Sequence, residues 1–157
     1  MNVKIKKLQQ ENKAHQCAQF MVESDPWKRL GRTYDGSMQM LLDPEREVYV
    51  ATIDGEVAGV LVLWMKGALV GYIQTIGVFP KWQGQGIGSQ LVQFAEERIF
   101  ADSPNVFMCV SSFNEGAQKL YQRLGYEVVG EIKKYIVAEY SEILLRKTIA
   151  PLAQFKK

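Results

Sequence analysis

The chain has 157 residues, of which 47% are apolar and 23% charged, and its formal net charge at pH 7 is +2. This length and composition predict one globular domain, residues 1–157, that buries a core without disulfides. The small net charge gives no support for nucleic-acid binding. No segment has the roughly 20 consecutive apolar residues that span a bilayer, so we expect no membrane interaction.

Cysteine and histidine usage gives no indication of a metal site. Cys17 and Cys109 lie in apolar surroundings and outside any C-x-x-C pair, and His15 has no His or Cys neighbour. Neither a disulfide framework nor a zinc site is therefore expected. Free thiols and the lack of an apolar leader near the first residue predict a cytoplasmic protein.

The first forty residues are predicted to be mostly helical after one short strand. Apolar residues recur at helical spacing until Pro26, which disfavours helical geometry in the residue before it. The expected elements are, in order, a strand around Val3 and Ile5, a helix over residues 12–24, a second helical stretch capped by Ser24 or Asp25, and one or two helical turns over residues 37–42.

The middle of the chain is predicted to form three antiparallel strands. Residues 47–53 and 56–64 flank Asp54-Gly55, a dipeptide typical of tight β-hairpins. A third strand is expected over residues 69–78, where apolar and β-branched side chains suit a central position in the sheet.

The remaining elements alternate between helix and strand. After three closely spaced glycines, Ile87, Leu91, Ala95 and Ile99 form the apolar stripe of a helix that ends before Pro104. The next elements are a strand at 105–110, a helix that Ser112 and Glu115 begin as a capping box and Gly125 ends, and strands at 127–132 and 139–148.

This order predicts an α/β (α+β) fold with a mixed, mostly antiparallel sheet of about seven strands. The strands at 69–78 and 105–110 flank one helix, so they are expected to form a central parallel pair. Helices should cover both faces of the sheet. A ligand bound at the start of the intervening helix would lie near the carboxyl ends of both parallel strands.

The most informative segment is Gln83-Gly84-Gln85-Gly86-Ile87-Gly88, between a strand and a helix. Unpaired N–H groups at a helix N-terminus attract anions, and glycines allow close approach to the backbone. The segment lacks the Lys-Ser/Thr pair of a Walker loop and the G-x-G-x-x-G spacing of a dinucleotide fingerprint. A glycine-rich turn without a ligand is the remaining structural alternative.

The segment matches the pattern Q/R-x-x-G-x-G/A, and it resembles the acetyl-CoA loop of the GCN5-related N-acetyltransferases, the GNAT superfamily. A second run, from Asn114 to Tyr126, resembles the family segment N-x-x-A-x-x-L/F-Y-x-x-x-G-F/Y. With the strand order, the resemblance covers residues 3–148. It implies acetyl transfer from acetyl-CoA to an amine in a ternary complex, without a covalent acyl-enzyme and without a metal.

The resemblance also implies roles for particular residues. The N–H of Val78 would donate to the oxyanion and Tyr121 would protonate the leaving thiolate, which makes these two the expected catalytic residues. The residues expected to bind acetyl-CoA are Ile76, Gly77, Val78, Gln83, Gly84, Gln85, Gly86, Ile87, Gly88, Ser89, Asn114 and Tyr121.

Several of these residues have a purely structural alternative. Tyr121 faces the core side of its helix, Asn114 stands where a helix cap is expected, and Gly77 permits either a strand bulge or close packing. Gln83 replaces the commoner arginine and adds no charge against a diphosphate, for which Lys81 could partly compensate.

The general base departs from the family pattern. The strand before the glycine loop reads Gly71-Tyr72-Ile73-Gln74-Thr75-Ile76, and it has no carboxylate. Neither Gln74 nor Thr75 can act as a base near neutral pH. The proton could leave through a water chain, or a carboxylate could come from elsewhere, with Asp25 and Glu139 as candidates.

The acceptor is expected to contact two loops, residues 24–37 and 133–140. They carry aromatic and basic side chains: Trp27, Lys28, Arg29, Arg32, Tyr34, Lys133, Lys134, Tyr135 and Tyr140. A small-molecule amine or a peptide or protein amine would fit this composition, in a monomer or a homodimer. The rival hypothesis is a non-catalytic acyl-CoA-binding or sensor module of the same fold.

Overall fold

The computed structural model describes residues 1–156, which form one sheet with helices on both faces. Single turns of 3-10 helix occur at Pro80–Trp82 and Leu152–Gln154. The main elements are β1 (Val3–Lys7), α1 (Glu11–Glu23), α2 (Tyr34–Leu41), β2 (Glu47–Ile53), β3 (Glu56–Trp64), β4 (Tyr72–Val78), α3 (Ile87–Phe100), β5 (Asn105–Ser111), α4 (Glu115–Arg123), β6 (Glu127–Ile132) and β7 (Glu142–Thr148).

The sheet confirms the predicted fold class. Its seven strands run in the order β1-β2-β3-β4-β5-β7-β6. The β4–β5 pair is parallel and the other neighbours are antiparallel. The mixed sheet, its central parallel pair and the strand–helix–strand unit through α3 therefore agree with the sequence prediction.

Two apolar cores hold the layers together, one on each face of the sheet. On one face the predicted stripe of α3 is at most 1% exposed and packs against strand residues such as Leu61 and Leu63. On the other face Cys17 and Met21 of α1 pack with Val60 and its neighbours. Full burial of one leucine side chain contributes about 1.5–3 kcal/mol, so burial of this stripe holds α3 against the sheet.

Four predictions along the chain were wrong in their bounds or element type. Helix α2 begins at Tyr34, three residues before the predicted start at residue 37. Residues after Ser24 form successive turns instead of a second regular helix. The third strand begins at Tyr72 instead of residue 69, because Gly71 has φ +90° and passes so close to β5 that a Cβ would lie 2.3 Å from the Asn105 carbonyl oxygen. The last strand begins at Glu142 instead of residue 139, since a loop fills residues 133–141.

The start of α4 also differs from the prediction. Asn114 is the N-cap, and its Oδ1 accepts a 3.2 Å hydrogen bond from the Ala117 N–H. Ser112 is not part of a capping box, because its Oγ accepts instead from the Ser141 N–H. The predicted end of the helix is confirmed: Gly125 has φ +97°, and the Tyr126 N–H donates to the Tyr121 carbonyl as in a Schellman motif.

The parallel pair β4–β5 separates after two residue pairs. Pairing is confined to Tyr72 with Phe107 and Ile73 with Met108, although both strands continue. The irregularity that accompanies this separation lies at Gln74, where β4 has one more residue than β3. The alternative of a strand bulge at Gly77 is therefore wrong.

Gly77 is required for packing. A Cβ there would lie 2.5 Å from the Trp27 ring and 2.9 Å from the Phe20 ring. The close-packing alternative thus explains this glycine, and its role is to let the chain after α1 lie against the end of β4.

Candidate active site

The end of β4 directs two backbone N–H groups into the gap between the separated strands. The Phe79 N–H bonds to the Ala58 carbonyl, so this pair exchanges ladder hydrogen bonds and the next pair, Val78 with Gly59, does not. In an antiparallel ladder the two kinds of pair alternate. The N–H groups of Val78 and Ile76 therefore point away from β3, toward the gap next to β5.

The glycine loop presents a second group of backbone donors beside this gap. Gly84 and Gly86 have φ of +73° and +83°, and no heavy atom lies within 4 Å of a Cβ placed on either. Gly86 is the N-cap of α3 and makes no side-chain cap, so the first N–H groups of the helix are left for another acceptor. This space and these donors fit an anionic diphosphate.

The side chains of the loop have different surroundings. Ile87 is 1% exposed and packs in the core, so its backbone alone can meet a ligand. Gln83 Nε2 donates to the Val78 carbonyl at 3.1 Å, on the same open edge of β4. Lys81 Nζ lies 2.7 Å from the Glu56 carboxylate, and this ion pair reduces the charge that the lysine could offer a diphosphate.

Tyr121 and Asn114 lie on α4, across the gap from β4. Tyr121 is 8% exposed, and burial raises the pKa of its hydroxyl to about 12. That pKa keeps the hydroxyl protonated near neutral pH, as a proton donor requires. Asn114 already caps α4 through its Oδ1, which leaves its amide N–H groups as the part that a ligand could meet.

A cavity of about 120 Å³ occupies the gap and joins residues from both faces of the sheet. Of the residues expected to bind acetyl-CoA, Ile76, Asn114 and Tyr121 line it, whereas Gly77, Val78 and the glycine loop lie outside it. Its other lining residues come from the loop after α1, from β4, β5, α4 and β7, and from the loop before β7. A second cavity of about 510 Å³ shares Tyr72, Gln74 and Cys109 with the first.

The sequence analysis missed Glu142, the first residue of β7. Its side chain lines the 120 Å³ cavity, and the residue is 4% exposed. The Ser111 hydroxyl donates to its Oε2 at 2.7 Å, and burial raises the pKa of the carboxyl. A glutamate at the start of the apolar run Glu142-Ile143-Leu144-Leu145 was the available signal.

The two carboxylates proposed from the sequence lie elsewhere. Asp25 is exposed and forms a 3.2 Å ion pair with Arg29. Glu139 is exposed in the loop before β7, and neither residue lines the cavity. Arg29 itself stacks on the Phe113 ring at 4.4 Å, whereas Trp27 and Arg32 of the same loop reach the cavity.

Across residues 1–156 the structure holds no group of three or more His, Cys, Asp or Glu side chains arranged to bind a metal. The helices in this part of the chain are also too short or too polar to cross a bilayer.

The open edge of β4 and the uncapped start of α3 form a cleft with backbone donors that suit an anionic ligand. Residues 9–126 match the family model described as the acetyltransferase (GNAT) family. The chain belongs to this family of acetyl-CoA-dependent N-acetyltransferases, as the two sequence motifs indicated.

Two curated relatives illustrate how acceptors differ within the family. The chain is 35% identical over 99 residues to the aminoalkylphosphonate N-acetyltransferase of Salmonella typhimurium, a match that covers 59% of this chain and 64% of that protein. It is 30% identical over 121 residues to the N-alpha-acetyltransferase RimI of Mycobacterium tuberculosis, covering 75% of this chain and 72% of that protein.

Solved structures extend the similarity to the fold of nearly the whole chain. An aminoglycoside 6'-N-acetyltransferase complexed with coenzyme A superposes with a TM-score of 0.74 at 17% sequence identity. The match covers 94% of this chain and 98% of that structure. At this identity the likeness concerns the fold alone.

Proposed function

We propose that this protein transfers the acetyl group of acetyl-CoA to a primary amine that enters the cleft from the α1–α2 face of the sheet. The observation that carries the proposal is the separation of β4 from β5 after Ile73 and Met108. It leaves the backbone N–H groups of Ile76 and Val78 without a strand partner on that side, and Ile76 lines a cavity that Tyr121 also lines.

The glycine loop is proposed to bind the diphosphate of the cosubstrate through backbone donors from Gly84 to Ser89. Its open surroundings and the uncapped start of α3 support this role. From there the thioester end would extend along the open edge of β4 past Ile76, with Asn114 on the opposite side of the cleft.

The chemistry follows from groups that the cleft brings together. The ammonium of the acceptor loses a proton, and its nitrogen lone pair attacks the thioester carbonyl carbon. The N–H of Val78 donates to the oxyanion that forms. When the carbon–sulfur bond breaks, the nitrogen loses its second proton to solvent, and the Tyr121 hydroxyl protonates the thiolate and is itself reprotonated from solvent, so the products are the acetamide, CoA and one proton.

The acceptor class is proposed from the relatives and from the cleft. One relative is named for an aminoalkylphosphonate and the other as an N-alpha-acetyltransferase, so both a small amine and an α-amino group are reasonable acceptors. The small volume of the cavity, about 120 Å³, favours the small amine.

The test is release of CoA, read with a thiol reagent, when the purified protein receives acetyl-CoA and a panel of short amines, amino acids, aminoglycosides and peptides. We expect turnover above the no-acceptor rate with at least one amine, and the acetamide product confirmed by mass spectrometry. Tight acetyl-CoA binding with no turnover on any amine class would contradict the proposal and favour a sensor module.

A further inference from the structure

Two side chains of opposite charge line the 120 Å³ cavity without pairing with each other. Glu142 is 4% exposed, and among residues 1–156 the donor to its carboxylate is the Ser111 hydroxyl. Arg32 is half-buried, and its hydrogen-bond partner is the Met40 sulfur at 4.0 Å, a weak acceptor. Among residues 1–156 no carboxylate forms an ion pair with Arg32.

The neighbours of Arg32 do not neutralise its charge. Arg46 is the nearby cation, and it is already occupied by an ion pair with Asp43 and a 2.7 Å hydrogen bond to Gln74. Burial and the charge of Arg46 both lower the pKa of Arg32. A partly buried guanidinium with no anion destabilises the fold, so its position indicates an anion that the protein itself does not supply.

We propose that the acceptor is a short zwitterion, an amine that carries a carboxylate or phosphonate, with its amine at Glu142 and its anionic group at Arg32. This inference rests on the proposed acetyl transfer and names its acceptor class. A guanidinium binds either anion with two parallel hydrogen bonds. Glu142 accepts from the ammonium and takes the proton that the nitrogen must lose before attack.

The positions of the two charged side chains define the two ends of the acceptor. Arg32 and Glu142 line the same cavity, Arg32 from the loop before α2 and Glu142 as the first residue of β7. Opposite charges at the two ends of one short acceptor would complement both side chains. Glu142 is thus assigned as a catalytic residue and Arg32 as the specificity-determining one.

The experiment compares kcat/KM for four amines of matched length: β-alanine, 2-aminoethylphosphonate, propylamine and ethylenediamine. We expect the two anionic amines to exceed propylamine by about tenfold or more, as one charge-assisted contact provides, and ethylenediamine to be poorest. Arg32→Gln should abolish this preference by raising KM for the anionic amines far more than for propylamine.

Three further variants separate the roles. Arg32→Lys should retain part of the preference, and Lys4→Gln on the exposed edge strand β1 removes the same charge and should change nothing. Glu142→Gln should lower kcat for all four amines. Its melting temperature, and that of Arg32→Gln, are measured alongside to establish that each variant is folded.

The contrary results distinguish failure of the acceptor inference from failure of the proposed acetyl transfer. Equal kcat/KM for β-alanine and propylamine, a preference for ethylenediamine, or equal losses on all amines in Arg32→Gln would overturn the inference while the acetyltransferase remains. Turnover confined to peptides or aminoglycosides would do the same. If no amine at all were acetylated, the proposed function would fail first and the inference with it.

Discussion

Gly86→Glu tests whether the glycine loop binds the diphosphate. Gly86 has φ +83°, which costs a residue with a Cβ about 1–2 kcal/mol. No heavy atom lies within 4 Å of the added Cβ, so the Cβ makes no clash and the backbone cost is the expected loss. At about 2–4 °C per kcal/mol for a chain of this size, the free variant should melt about 2–8 °C lower.

The larger effect is expected on the ligand. Acetyl-CoA at 100 times its Kd should stabilise the wild-type protein by about 2.7 kcal/mol, or about 5–11 °C in melting temperature. In Gly86→Glu a carboxylate occupies the position that the phosphates need, at the uncapped start of α3. The repulsion between anions should remove the ligand-induced shift entirely. Thermal melting with and without acetyl-CoA measures both numbers.

Gly55→Glu is the matched control. Gly55 has φ +81° and equally empty surroundings, but it lies in the β2–β3 hairpin turn. It should lower the melting temperature by a similar amount and keep the full acetyl-CoA shift. An undiminished shift in Gly86→Glu, or its loss in both variants, would refute the placement of the diphosphate at this loop.

Three further predictions concern the cleft. Tyr121→Phe should lower kcat by about 10²–10⁴ with an unchanged acetyl-CoA shift, whereas an affinity loss alone would make the tyrosine a binding residue. Gly77→Ala should lower the urea midpoint by the equivalent of about 1–3 kcal/mol, since its methyl would overlap the Trp27 ring; an unchanged midpoint would contradict the packing role. Because burial raises the pKa of Glu142, its contribution to stability is present below the unfolded pKa and lost as pH rises through the folded pKa. Glu142→Gln should therefore gain stability relative to wild type as the pH rises above the ordinary glutamate pKa, measured by melting across that rise, and a variant that loses stability relative to wild type over the same rise would contradict this.

Local signals predicted the parts of the fold that depend on neighbouring residues. The apolar stripe of α3 is periodic in the sequence, and the hairpin at Asp54-Gly55 is specified by two residues whose φ values are +51° and +81° in the structure. Gly125 was recognisable as a helix end because a helix often ends at a residue with positive φ, which glycine adopts easily; its φ is +97°. In each case the determining interactions span only a few residues, so the sequence contains them directly.

The errors occurred where distant segments meet. The irregularity of β4 lies at Gln74 and not at Gly77. A glycine in a strand can mark close packing as well as a bulge, and at Gly77 the rings of Phe20 and Trp27 fill the space beside the backbone. Ser112 has the right spacing for a cap, yet its hydroxyl accepts from Ser141, a residue 29 positions away. Neither outcome can be read from a window of sequence.

Glu142 was missed for a similar reason. As the first residue of a strand it has the position of a surface carboxylate, and its burial comes from Ser111, its partner across the β5–β7 ladder. Arg32 was noted among several basic residues of its loop. Nothing in the sequence separates it from Arg29, which is exposed and paired with Asp25.

The irregular end of β4 connects the fold to the chemistry. An extra residue at Gln74 accompanies the end of the ladder with β5, and the lost pairing leaves the N–H groups of Ile76 and Val78 without strand partners. Such groups cost stability unless another acceptor satisfies them. Gln74 itself, at the position where a carboxylate base was sought, is held by Arg46. The carboxylate instead comes from Glu142 on β7, across the same gap, which explains how β4 can lack an acid in a chain of this family.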